Sequence, residues 1–264
     1  MKKRPVFLGV LLAFGLAFAG CPTDDKGGDG NNDGPVYLGD TLELSGQVYL
    51  EKQNDDYTIS YQPFNGNRTI FNDYGGSGEI KDGKLTFSIG TPNELLALGA
   101  LFDNDNVQVS NANIRGLSFV SLYVDSNNYG RLRKENQTIS VRGGNSYSGT
   151  LEYVYYFYVE NDVTVNGTGK TETETDIWEG ATYTYTTTQK NFNLALKAGW
   201  NAVYLKREAV STFTGTIDNP TGENITETIT TSLGNPSLKW VLFDSNDYSA
   251  TLDRRPLLNA PAIK

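Results

Sequence analysis

Histidine is absent from all 264 residues, and cysteine occurs once, at Cys21. Without imidazole there is no Ser-His-Asp or Cys-His catalysis, no histidine zinc ligand and no histidine proton shuttle. A single cysteine leaves no intramolecular disulfide. The chain has neither a GxGxxG turn nor a Walker loop with GK[ST], so the usual phosphate cradles are missing too. Basic residues are outnumbered, with 22 Lys plus Arg against 31 Asp plus Glu. That balance disfavours nucleic acid and anionic lipid as partners. Carboxylate chemistry and oxygen-ligated cations stay open.

The N-terminus carries an address. Lys2, Lys3 and Arg4 precede an uncharged run, VFLGVLLAFGLAFA, at residues 6–19. A basic start followed by an apolar stretch of this length is the pattern of a secretory signal. The run is shorter than the ~20 apolar residues of a stable membrane span. It also lacks the polar residues at helical spacing that a core helix would show.

The run ends in Phe18-Ala19-Gly20-Cys21, which resembles the lipobox of bacterial lipoproteins. Leu is usual where Phe18 stands. The resemblance implies removal of residues 1–20, a diacylglycerol on the Cys21 thiol and an acylated new amine. Several acyl chains anchor firmly where one does not, at ~0.8 kcal/mol per buried methylene. Pro22, rather than Asp, follows the cysteine. By the same resemblance the outer membrane is the expected address, periplasmic or surface-facing. The competing readings of an odd cysteine are a free reactive thiol and an intermolecular disulfide. Removal of residues 1–20 takes three basic residues and no acidic ones, leaving 19 against 31 and a net charge of −12.

Residues 21–35 read as a flexible acidic tether, since PTDDKGGDGNNDGP has no bulky side chain to bury. Part of it fits an EF-hand loop. Asp29, Asn31 and Asp33 take loop positions 1, 3 and 5, Gly34 takes position 6, and Asp40 stands where a bidentate Glu is usual. Neither flank is helical, so an acidic tether that matches by composition is the preferred reading. No cofactor is expected, with Ca²⁺ the one candidate.

The body reads as strands nearly throughout. Leu42, Leu44, Val48 and Leu50 alternate with polar residues, with Gly46 marking a bulge. IKDGKL, residues 80–85, places Asp-Gly between apolar flanks, a strong hairpin signal. The next strand points Leu85, Phe87 and Ile89 inward. TPNELLALGALF predicts the one helix, over 92–101, with Thr91 as cap and Pro92 in the first turn. TLEYVYYFYVE, residues 150–160, is apolar on both faces, as in a central strand covered on both sides. KNFNLALKAGWNAVYLKRE reads as a hairpin turning near Ala198-Gly199. The runs TETETD, TYTYTTT and TETITTS read as solvated strands or long loops.

This spacing predicts an all-β fold of antiparallel β-sandwich modules with one short helix. Residues 36–130 would form the first module and 131–264 the second, unless both belong to one continuous sandwich. LSGQVYL resembles the opening strand of transthyretin-like or immunoglobulin-like surface modules.

Two site readings follow. Tyr156, Tyr158, Trp178 and Trp200 could form a sugar-stacking platform, against which stands core packing. A carboxylate pair could hydrolyse a glycosidic bond, though no motif selects one among 31 acids. The expected role is a lipid-anchored, non-enzymatic envelope protein that recognises a ligand, a polymer or a protein partner. The alternative is a carboxylate-based carbohydrate hydrolase or a carbohydrate-binding accessory lipoprotein.

Overall fold

The computed structural model describes residues 35–53, 59–102, 105–125, 130–141, 145–178, 181–216, 219–231 and 237–244. β1 (Val36–Gly39), β2 (Leu42–Gln53) and β3 (Ile59–Pro63) lead into β4 (Arg68–Phe71), β5 (Ser77–Lys81) and β6 (Lys84–Ile89). β7 (Leu96–Ala97) and α1 (Leu98–Leu101) precede β8 (Val107–Val109), β9 (Arg115–Phe119) and β10 (Ser121–Val124). Then come β11 (Gly130–Val141), β12 (Ser146–Val159), β13 (Val163–Gly167), β14 (Lys170–Trp178) and β15 (Ala181–Gln189). β16 (Phe192–Leu196), β17 (Gly199–Thr216), β18 (Asn219–Thr231) and β19 (Lys239–Asp244) complete an all-β chain.

Seven of these strands close on themselves. β4, β5, β6 and β2 pair in turn, β2 pairs β19, β19 pairs β11, β11 pairs β10, and β10 returns to β4. An odd number of strands cannot alternate direction all the way round a ring. One neighbouring pair must run parallel, and it is β2 with β19. Leu42, Ile70, Ile80, Leu85, Leu122 and Leu132 meet in this core, one from each of six ring strands and none more than 1% exposed. Burial of each such side chain contributes roughly 1.5–3 kcal/mol. The Asp82-Gly83 hairpin forms as its sequence predicts, with φ of 49° and 76°, and Leu85, Phe87 and Ile89 point inward.

β12 and β17 pair along their length, from Ser146↔Thr212 to Val159↔Gly199. They form a wall between two cores. Val154, Tyr156, Trp200 and Ala202 face the ring core. Tyr153, Tyr155, Phe157, Val203 and Leu205 face a second core. The two-sided apolar pattern of 150–160 is thus explained, since each face belongs to a different core. Both cores draw residues from before and after position 130.

The second core is closed by a small sheet, β16-β13-β8, together with α1. Here the structure corrects the hairpin expected at 190–208. The chain does turn at Ala198-Gly199, but β16 pairs β13 and β17 pairs β12. The turn therefore joins two sheets instead of two neighbouring strands. Asn201, 1% exposed, holds it with its side chain. Its Oδ1 accepts the Lys197 N–H at 2.9 Å, and its Nδ2 donates to the carbonyls of Lys197 and Gly199 at 2.8 and 3.1 Å. The face assignment survives, because Phe192, Leu194 and Leu196 meet Val203 and Leu205 from the opposing sheet.

Two smaller expectations also change. The helix over 92–101 shrinks to Leu98–Leu101 with no side-chain cap. Tertiary partners take the backbone groups that the first turns would need. Asn93 N–H donates to the Tyr74 carbonyl, Arg115 reaches the Leu95 carbonyl, and Leu96 pairs Gly116. Gly46 is not a bulge, since β2 and β6 stay in register through it. A Cβ there would lie 3.1 Å from the Trp240 indole, whose Nε1 donates to the Ser45 carbonyl at 3.1 Å. With φ of 143°, glycine at this position leaves room for that ring.

Candidate functional site

Cys21, Asp29, Asn31 and Asp33 lie outside the described residues. Asp40 is exposed just after β1, and its carboxylate accepts the Tyr37 hydroxyl at 3.4 Å. Among the described residues no group of three or more Cys, Asp or Glu is placed to hold a metal ion.

The aromatic candidates are divided between strands and cores. Trp200 is 0% exposed and Tyr156 is 3% exposed, both inside the ring core. Trp200 meets Phe119 and Tyr158 edge-on, with centroids 5.7 and 5.3 Å apart, and donates its Nε1–H to the Gly90 carbonyl at 3.0 Å. Tyr158 is half-buried beside it. Trp178 ends β14, on the far side of the sheet path. A ring without an open face cannot stack on a sugar, so Tyr156 and Trp200 serve packing here.

Among the described residues three glutamates are buried. Arg207 and Glu227 form a bidentate pair, Nε to Oε1 and Nη2 to Oε2, both at 2.7 Å, with each residue 6% exposed. Arg133 bonds the fully buried Glu135 through one carboxylate oxygen, and the other has no partner. The Arg133 guanidinium lies over Phe243 and Tyr153, 5.1 and 6.0 Å from the ring centroids. Glu223 accepts hydrogen bonds from the Ser211 and Tyr147 hydroxyls. Burial pushes the Tyr153, Tyr155 and Tyr156 hydroxyls up, so they remain protonated.

The spacing of these acids does not suit a glycosidase pair. Glu223 and Glu227 are four residues apart on one strand face, about 13 Å between Cα atoms. Both lean the same way along β18, toward Ser211 and Arg207 respectively, so the separation persists. Glu135 sits three strands away from β18. Retaining and inverting pairs need about 5.5 and about 6.5–9.5 Å.

Glu223 has a pH signature. Burial pushes its carboxyl above the usual glutamate range, against the opposing pull of the Ser211 and Tyr147 hydrogen bonds. The folded chain then holds that proton more tightly than the unfolded chain. The contribution to stability is complete below the ordinary value of about 4.3 and is lost as pH rises through the folded value. Glu223→Gln, whose amide oxygen still accepts both hydroxyls, is expected to melt higher than the parent at pH 7. The gap should close near pH 3.5, as followed by circular dichroism melting at both pH values.

A further surface is built by the threonine-rich strands. From β11 the sheet path runs β12, β17, β18, β15, β14. Paired residues share a face, so the registers define rows across it. One row is Thr173, Thr186, Thr226, Val210, Ser148, Ser140. A second is Thr171, Thr188, Thr228, Glu208, Thr150, Thr138, and a third is Thr175, Thr184, Asn224, Thr212, Ser146. Every position except Val210, Glu208 and Asn224 carries a hydroxyl. All of these positions are exposed or half-exposed. Across β14 and β15 the Thr Oγ1 atoms pair at 3.1, 3.1 and 3.5 Å. The acids of β14 and β18, Glu172, Glu174, Asp176, Glu223 and Glu227, alternate onto the other side.

The signal for this face was present as TxTxT in three separate runs. Its assembly depends on β18 running parallel to β15 and antiparallel to β17, which no local pattern announces. No protein-family model, curated protein or solved structure matches this chain.

Proposed function

We propose that the mature chain is a lipid-anchored envelope protein, held at the outer membrane through Cys21, that acts by binding and not by turnover. The observation that carries this reading is the wide, solvent-facing hydroxyl surface spread over six adjacent strands. Repeated hydroxyls on a rigid sheet offer many weak, directional contacts, which suits recognition of an extended partner. The composition supports the same reading. There is no histidine, and the only thiol stands at the lipobox, so acid–base work near neutral pH would fall to carboxylates, Lys or Tyr with displaced pKa values.

Two measurements test it. Cells fed labelled fatty acid are expected to label the parent chain and not Cys21→Ser, and only the parent should partition into detergent. A Cys21→Ser chain that stays uncut and still partitions would point to a plain signal anchor. Incubation of the mature chain with polysaccharides and peptidoglycan should yield no products. Turnover abolished by a single Glu→Gln or Asp→Asn change would make it an enzyme.

A further inference from the structure

We infer that the hydroxyl face takes a neutral polysaccharide, lying across β14, β15 and β18. This rests on the reading that the protein binds without turnover, and it adds the chemical class of the partner.

The hydrogen-bond inventory points to a partner that both donates and accepts. Two threonine hydroxyls hold two donors and four acceptor sites. The bonds between Thr171 and Thr188, and between Thr173 and Thr186, use one donor and one acceptor in each pair. Each pair therefore presents one O–H and three lone-pair sites outward. A carboxylated or sulfated polymer replaces some hydroxyl donors with acceptor-only oxygens and so meets fewer of those sites. A sugar hydroxyl supplies both kinds of group.

Charge narrows the choice further. On this side β14, β15 and β18 carry Thr, Asn, Gly and a single Ile, with no ionisable group. The chain as a whole is acidic, with a net charge of −9, so an anionic polymer is repelled. A cationic polymer is drawn instead to the opposite side of β14, where Glu172, Glu174 and Asp176 stand in a row. An uncharged partner is the one for which neither field competes.

Rigidity and repeat complete the argument. Threonine is stiff at χ1, so little side-chain entropy is lost on binding. Its methyl group offers an apolar contact to the C–H face of a sugar. The same hydroxyl pair recurs at every second residue, about 6.7 Å along the strand, and a repeating surface gains avidity only from a repeating partner.

The test uses the full lipidated chain in detergent micelles, with dextran, mannan and soluble β-1,3-glucan as neutral probes. Alginate and polygalacturonate are the anionic probes, and polylysine is the cationic one. Saturable binding to at least one neutral polymer is expected at physiological salt, with no binding to alginate or polygalacturonate. The double variant T173V/T186V removes two hydroxyls and keeps strand-forming shape. It should weaken neutral-polymer binding about tenfold, as loss of two neutral hydrogen bonds implies, while E174Q on the opposite side leaves it unchanged. If the double variant does not fold by circular dichroism, T226V alone should weaken binding about threefold. Failure to bind any neutral probe, or binding indifferent to these threonines, overturns the inference. Preference for alginate overturns the partner class and leaves the binding role standing. Cleavage of a bound polymer overturns the binding role and leaves the face as a substrate surface.

Discussion

Replacing Arg207 with Met is expected to destabilise the protein by about 3–5 kcal/mol at neutral pH, because it leaves Glu227 buried without its cation. The pair is bidentate and each residue is 6% exposed, so solvent screens little of the loss. Domains hold only about 5–15 kcal/mol in total, so this single change should remove a large share of the folded-state margin. The partner change restores it. The double variant R207M/E227L fills the site with apolar groups of similar volume and should return to within about 1 kcal/mol of the parent, or exceed it. Urea unfolding of the four proteins of the cycle gives the coupling directly. A single variant with an unchanged midpoint would mean that the pair is solvated in the working protein.

The second large effect is at Trp200. Trp200→Ala is expected to cost roughly 3–5 kcal/mol through the cavity it leaves. The ring is fully buried, touches Phe119 and Tyr158 edge-on, and ties β17 to the stretch after β6. Trp200→Phe keeps an aromatic ring and gives up the N–H, so it should fall between the two. The urea midpoints should order as parent, then Phe, then Ala, with little change in slope. A Trp200→Ala protein as stable as the parent would contradict the packing, whereas a sugar-stacking tryptophan would lose binding and keep stability.

The fate of Trp200 and Tyr156 shows where a local pattern stops being informative. The unbroken apolar run YVYYFYV tells that both faces of a strand are covered, and both are. It does not tell by what. Tyr156 and Trp200 belong to the core of a ring built largely from residues 42–132, far away in the chain. The separation of the three buried glutamates rests on the same kind of long-range information. Acid count is a property of composition, whereas carboxyl separation depends on strand order, and strand order places Glu135 three strands from β18.

The Asp82-Gly83 turn, the alternation in β2 and β6 and the all-β class follow from the sequence alone. Each rests on interactions between residues a few positions apart: φ preferences, the period of two, and the β propensity of Thr, Val and Tyr. Tertiary structure decided which strands are neighbours. The turn at Ala198-Gly199 was legible, yet whether it closed a hairpin or crossed between sheets depended on β16 finding β13 and β17 finding β12. The helix over 92–101 had its cap and its proline, but Tyr74, Arg115 and Gly116 claimed the backbone groups first. The three threonine runs are ordinary solvated strands when read singly. They become one surface only because the parallel pairing of β15 with β18 brings residues 184–188 beside 224–228 in register. A period of two assigns each side chain to a face, but the pairing of distant strands is settled by long-range hydrogen bonds and shared burial, which no short stretch of sequence contains.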